Sequence, residues 1–312
     1  MASLVSGTTS DMTPRPSRRA FYTGDRFQAA AFIVPSCIFL ALLTIWPFFY
    51  SVYLSLHRVR LTALKRAVFV GFENYWNLVT DTLFQHALLN TLMLATASIA
   101  CEIIIGFVVA KAFVSIAHLR WSNWLRSFFL MPMMVTPLIV GMIFAYVFNP
   151  VLGIANYLLN SVGLAPVSWF GDPFPAMLSI LLINVWQWTP FMMLLIMAGL
   201  FSIRSDLYEA ARVDGAKWHH ILRFLEIPSI RGIVLLGIIL RIIDTLRFFD
   251  VVYVTTRGGP GDSTMVLTLY AYQQNFQFFQ AGTGSAAAVI ILVISIVITT
   301  FAVRLLRRIE ND

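Results

Sequence analysis

Residues 284–303, GSAAAVIILVISIVITTFAV, run for twenty positions without a charged side chain. As helix, a stretch of that length crosses a hydrocarbon core of about 30 Å, because each residue rises about 1.5 Å. Predominantly apolar runs of similar or greater length recur near 28–50, 88–116, 127–148, 174–200 and 233–253, of which 88–116 and 233–253 carry charged residues. Inside a bilayer every backbone N–H and C=O must find its partner within the protein, which for such runs means helix. The sequence therefore predicts an all-α membrane protein with six transmembrane helices. Composition agrees, with 59% hydrophobic and 12% charged residues against about 25% charged in soluble domains. A formal net charge of +7 would suggest nucleic acid in a soluble protein. Here the basic residues cluster in loops and tails, where they orient spans and meet anionic headgroups. Cys37 and Cys101 fall inside expected spans and read as small buried apolar residues rather than a disulfide or metal site. The first run has no short apolar core followed by a small-residue cleavage site, so it reads as a retained span.

Six spans place both termini on one side, and the loop charges choose which. Arg15, Arg18, Arg19 and Arg26, then Arg120 and Arg126, then Arg204, Arg212, Lys217, Arg223 and Arg231, then Arg304, Arg307 and Arg308 share one side. They far outnumber Arg58, Arg60, Lys65, Arg66 and Arg257 on the other. The positive-inside rule puts both termini and an insert at 201–232 in the cytoplasm. The expected organisation is a cytoplasmic tail at 1–27, a first span at 28–50, an extracytoplasmic loop at 51–85, a body at 86–305 and a tail at 306–312. On the outer side, residues 149–173 suit turns and an interfacial helix with Trp169 and Phe170 at headgroup level. The Gly-Gly-Pro-Gly of TTRGGPGDST forces a tight turn. No convincing internal repeat is visible, which weakens a secondary transporter built from two repeated halves.

The insert contains EAARVDGAKWHHILRFLEIP, residues 209–228, and reads as helix–turn–helix. Asp206 and Glu209 have the spacing of a capping pair, and Glu209 suits the positive end of the helix dipole. Gly215 supplies a left-handed or close-packed position at the end of the first helix. Trp218, Ile221, Leu222 and Leu225 form one apolar stripe on a second helix, which Pro228 ends. Lys217, His220 and Arg223 fall outside that stripe. One reading is an amphipathic helix lying on the inner leaflet. The other is a docking element for a cytoplasmic partner, favoured by Glu209 and Asp214, which an anionic membrane surface would repel. His219 and His220 point about 100° apart on a helix and read as surface residues rather than metal ligands.

These residues resemble the EAA signature of the membrane subunits of binding-protein-dependent ABC importers. Glu209-Ala210-Ala211, Gly215 and Leu225-Glu226-Ile227-Pro228 fill its slots, with Glu226 where a small or hydroxyl residue is more usual. MPMMVTPLIVGMIFAYVFNPVLGIAN (131–156), WQWTPFMMLLIMAGLFSI (186–203) and FFDVVYVTTRGGPGDSTMVLTLYAYQQNF (248–276) are similar to the branch that imports sugars, polyols and glycerol phosphates, of the maltose-permease first-subunit type. The resemblance implies that Glu209, Ala210, Ala211, Asp214, Gly215, Trp218 and Pro228 belong to a coupling helix seated in a cleft of an ATPase. It also implies a dimeric ABC ATPase carrying the ATP and Mg, a second homologous permease, an extracytoplasmic solute-binding protein and a carbohydrate-like substrate. The chain itself would bind no cofactor, meet membrane lipid but no nucleic acid, and sit in the bacterial cytoplasmic (inner) membrane, working by alternating access.

The fifth expected span holds RIIDTLRFFD, with Arg241, Asp244, Arg247 and Asp250 spaced by three. A charge at mid-bilayer costs at least about 2.5 kcal/mol, so these demand compensation. The spacing allows a ladder of opposite-sign pairs along one helix. Two readings stay open: a self-neutralising structural ladder, or Asp244, Arg247 and Asp250 lining a solute path. Asn184, Gln187 and Trp188 in the fourth span are further candidates, since an aromatic beside two amides suits a sugar, although Trp186 and Trp188 could equally be packing residues. Pro132, Pro137 and Pro190 break helical hydrogen bonds where helices bend around a cavity. Glu102 and Lys111 lie about 13 Å apart along one helix, too far to pair, so each is expected to meet another helix or an interface. The sequence holds no Gly-rich loop followed by Lys-Ser or Lys-Thr, so ATP would bind elsewhere. Nor does it hold a nucleophile–base pair, which argues against a membrane-embedded enzyme. A self-sufficient channel or secondary transporter working as a homo-oligomer is the remaining alternative, and the docking insert argues against it.

Overall fold

The computed structural model describes the backbone of residues 18–311 and the side chains of residues 30–305 and 307. Arg15 and the side chains of Arg18, Arg19, Arg26 and Arg308, which enter the orientation argument, lie outside the described residues. In chain order the helices are α1 (Arg18–Ser55), α2 (Glu73–Thr80), α3 (Thr82–Ser115), α4 (Ser122–Met134), α5 (Pro137–Val147), α6 (Ile154–Ser161) and α7 (Pro173–Ser202). They continue with α8 (Ser205–Val213), α9 (Trp218–Ile221), α10 (Ile227–Thr245), α11 (Asp250–Thr255), α12 (Leu267–Tyr272) and α13 (Ala281–Asn311). A short ribbon departs from an all-helical chain: β1 (His57–Arg58) pairs antiparallel with β2 (Val68–Phe69).

The chain divides into two units, one ending at Tyr50 and one beginning at Ser51. The first carries the apolar part of α1, with Pro35 and Pro47 inside the helix. The second is built on α3 and α7, which pack lengthwise, with α10 against both and α13 against α10. Lipid tails are as apolar as leucine, so helices associate through close packing, and small residues make that possible. A Cβ on Gly106 of α3 would stand 3.1 Å from the Met193 backbone nitrogen of α7, and one on Gly237 of α10 would stand 3.0 Å from the Met192 sulfur. Asp81 caps α3 by accepting from the Leu83 N–H at 2.9 Å. Pro137 and Pro173 open α5 and α7, where a missing N–H costs nothing.

Among the described residues four helical segments are long and apolar enough to cross a membrane: Ala30–Ser55, Thr82–Ser115, Pro173–Ser202 and Ala281–Leu305. The expected third span, 127–148, is not straight. It is α4 and α5, bent by 96° at the residues before Pro137, and counting the pair as one span gives five. The expected fifth span, 233–253, is not one helix either. α10 stops at Thr245, residues 246–249 are non-helical, and α11 restarts at Asp250. Pro190 lies inside α7 without ending it. Cys37 and Cys101 are free thiols in α1 and α3, and neither is buried as expected. Between α5 and α7, Trp169 donates to Asn156 at 2.9 Å and stacks on Phe148, so it is packed by its neighbours. The Gly-Gly-Pro-Gly segment makes its tight turn with φ of 94° at Gly258 and 53° at Gly261, closed by Thr264 N–H on the Gly258 carbonyl at 3.1 Å.

Candidate functional site

The insert folds as two helices around Gly215. Its first helix, α8, begins at Ser205 with Asp206 in the first turn, held by Arg204 at 2.6 Å. The expected Asp206–Glu209 capping pair is therefore not made, because the helix starts before Asp206. At its other end Gly215 takes φ 74°. The Ala216 N–H reaches the Ala211 carbonyl at 2.9 Å and the Gly215 N–H reaches Arg212 at 3.1 Å, the bond pair of a Schellman turn.

The second helix does not stop at Pro228. α9 runs through a single π-helical turn, Leu222–Glu226, into α10, with Pro228 in its first turn. There the Ile227 N–H bonds to the Leu222 carbonyl. A proline removes one donor from the ladder, and a π turn absorbs the misfit. Glu209, Ala210, Asp214, Gly215 and Pro228 are exposed and Ala211 is half-buried. Of the expected apolar stripe, Ile221, Leu222 and Leu225 are half-buried, whereas Trp218 is 72% exposed and stands out with Val213 and Phe224.

Beside this exposed face lies a buried carboxylate. The Glu226 side chain is 6% exposed and accepts from Lys111 Nζ of α3 at 2.9 Å. The Tyr208 hydroxyl of α8 lies 3.5 Å from its other oxygen. Burial and the neighbouring Glu226 push the Tyr208 pKa up, keeping the phenol a donor. A cavity of about 360 Å³ adjoins the three residues and is also lined by Glu209 and Arg212.

A second polar cluster lies where α3, α7 and α10 meet. Arg241 is 1% exposed and grips Glu102, 0% exposed, through two bonds of 2.7 Å from Nε and Nη2. Its Nη2 also reaches Asn184 Oδ1 at 3.3 Å, while Asn184 Nδ2 donates to Ser98. The guanidinium lies 4.6 Å from the Trp188 ring centre, a cation–π contact. The remaining Nη1 pairs with Asp244, whose side chain is 51% exposed in the isolated chain. The bidentate fork satisfies both carboxylate oxygens of Glu102, the arrangement that makes a buried ion pair tolerable.

Asn184, Trp188 and Asp244 therefore converge on Arg241. Gln187 does not: its Nε2 donates to the Val135 carbonyl at 2.9 Å, at the α4–α5 bend. Arg247 and Asp250 fall beyond the end of α10, and among the described residues neither makes an ion pair. The expected ladder along one helix thus reduces to Arg241–Asp244, because the helix ends before the second pair can form. Trp186 meets Phe144 edge to face at 5.2 Å, as packing.

Glu102 and Lys111 do pair with other helices. Their partners, Arg241 and Glu226, lie 139 and 115 residues away in sequence. A signal for the first was present: Ser98 and Glu102 stand four apart on α3 and so share one face.

The chain matches the family described as binding-protein-dependent transport system inner membrane component over residues 102–311, well over half its length. It is 35% identical to the sulfoquinovosyl glycerol transport system permease protein SmoG of Agrobacterium fabrum, covering 91% of this chain and 92% of that one. It is 33% identical to the trehalose/maltose transport system permease protein MalF of Thermococcus litoralis, covering 88% and 93%. In fold it is similar to a chain of a bacterial ABC transporter involved in the import of alginate, with TM-score 0.79 and 23% identity over 93% of this chain and 99% of that chain. The chain belongs to the inner membrane components of binding-protein-dependent transport systems.

Proposed function

We propose that this chain is one of two permease subunits of a bacterial ATP-driven importer for a sugar or sugar-like solute. The observation that carries the reading is the insert: an exposed helical pair whose Glu209-Ala210-Ala211, Gly215 and Leu225-Glu226-Ile227-Pro228 fill the EAA pattern, with Asp214 and Trp218 between those slots, and whose apolar Val213, Trp218 and Phe224 stand exposed among the described residues. In this reading six segments span the membrane, with α4–α5 and α10–α11 as broken spans. Both termini and the insert face the cytoplasm, where the insert docks on an ABC ATPase dimer that holds the ATP and Mg. This chain binds no cofactor and catalyses no bond chemistry. A solute-binding protein delivers cargo on the other side.

Discontinuous helices within membranes occur where backbone lines a cavity, and the break after Thr245 has that character. Asp244 and Arg247, both exposed in the isolated chain, would face a path shared with the second permease. Asp244 accepts from solute hydroxyls and Arg247 donates to them, each replacing a hydrogen bond that the solute gave to water. Asp250, half-buried at the start of α11, adds an acceptor beyond the break. Asn184 and Trp188 hold Arg241, and Gln187 holds the bend, so their role in the path is support. The sugars named for the relatives support the solute class.

The test is co-purification from native membranes in mild detergent, followed by reconstitution with the recovered partners and the companion binding protein. A P-loop ATPase, a second permease and ATP-dependent uptake of a labelled saccharide are expected. A stable homo-oligomer that passes solute without nucleotide would overturn the proposal.

A further inference from the structure

Two ion pairs brace α3 against the helix that leaves the insert. At one level Glu102 of α3 holds Arg241 of α10, and at the other Lys111 of α3 holds Glu226 at the root of α10. The rungs have opposite polarity and are separated by nine residues of α3, about 13 Å along its axis. The lower rung sits at the π turn where the insert becomes α10, and Tyr208 brings α8 to the same carboxylate. Glu226 is thus the point where α8, α10 and α3 meet.

We infer that Lys111 and Glu226 are positioning residues that pass the movement of the insert to α3, and through α3 to Glu102, Arg241 and Asp244. The inference rests on the importer reading. Glu226 is almost entirely buried, with Lys111 as its charged partner. Pulling the insert away from α3 strips that carboxylate of its cation in a low-dielectric site, which is strongly unfavourable. Moving α3 together with the insert keeps the pair intact. The stroke therefore travels as a rigid displacement of the brace, and Asp244, joined to the upper rung through Arg241, moves with it.

The test uses the reconstituted complex and reads solute taken up per ATP hydrolysed, with assembly measured by co-purification. The neutral pair K111Q/E226Q removes both charges and leaves no unpaired ion. It is expected to assemble and hydrolyse ATP but to move about tenfold less solute per ATP, within the range that coupling between sites spans. The exchange K111E/E226K is expected to restore most of that ratio, a rescue that mere filling of space would not give. A neutral pair with the wild-type ratio, or an exchange that assembles with the ratio still low, would overturn the inference.

A second measurement leaves the pair intact and so does not depend on those variants folding. Spin labels at the exposed Ser115 of α3 and His219 of α9 are expected to keep their separation through the ATP cycle. A change of several ångströms would overturn it. A wild-type chain that binds no ATPase would instead sink the importer reading before either pair variant is made.

Discussion

Replacing Arg241 with Met tests the central cluster most directly. The substitution keeps an unbranched chain of similar length and removes the cation that Glu102 holds through two 2.7 Å bonds. Glu102 is 0% exposed, so water cannot take Arg241's place. Breaking one side of such a buried pair costs about 3–5 kcal/mol. Asp244 loses its partner too, but its half-exposed carboxylate can be solvated and adds little. With about 2.1 cal/mol/K of unfolding entropy per residue, a chain of 312 residues loses about 1.5 °C of midpoint per kcal/mol, so a fall of about 5–8 °C is expected. The assay is thermal unfolding of the purified chain in one fixed detergent, beside E102L and R241M/E102L. The double variant is expected to be more stable than R241M alone, because an apolar pair in a dry site is often as stable as the ion pair it replaces. A double variant that loses the sum of the single losses, or an R241M within about 1 kcal/mol of wild type, would refute the assignment of a buried, mutually dependent pair.

Three further outcomes follow from the geometry. Asp244→Asn keeps an acceptor for Arg241, so its unfolding midpoint should stay near wild type while ATP-driven uptake falls at least severalfold; unchanged uptake would remove Asp244 from the solute path. Trp188→Leu should destabilise the chain by about 0.5–2 kcal/mol through the lost cation–π contact with little change in the solute concentration for half-maximal uptake, and a change in that concentration alone would restore Trp188 as a solute-stacking ring. Gly215→Ala forces a Cβ into φ 74° and should cost about 1 kcal/mol or more and weaken ATPase co-purification, whereas Gly215→Asn should be milder because Asn visits that region more readily.

Much of the helical frame was legible because the bilayer permits so few alternatives. Uninterrupted apolar runs such as 284–303 have one hydrogen-bonding solution there, and α13 follows from it. Gly215 was legible as a left-handed turn for a similar reason: few other residues end a helix that way. The break between α10 and α11 was not, because RFFDVVYV is apolar enough to read straight through and no proline marks the interruption. The same limit hid the π turn before Pro228, where a proline expected to end the helix is absorbed by one extra residue in the turn. Pairings across the fold were hidden for another reason. Apart from the face that Ser98 and Glu102 mark on α3, these helices are apolar on every side, so α3 and α7 give little local sign of which surfaces meet. The Glu102–Arg241 pair follows from packing at 139 residues' separation and emerges only with the tertiary fold.

The right-angle bend between α4 and α5 carries a constraint on how this chain can change. A straight helix closes its own hydrogen bonds, but the bend frees the Val135 carbonyl, and the Gln187 amide from α7 takes it up. Thr136-Pro137 and Gln187, some fifty positions apart, therefore form one compound trait. Straightening the helix would strand an amide donor away from water, and losing the amide would leave a carbonyl bare; either single step passes through a less stable intermediate. Descendants of this chain are expected to keep both features or to exchange both together.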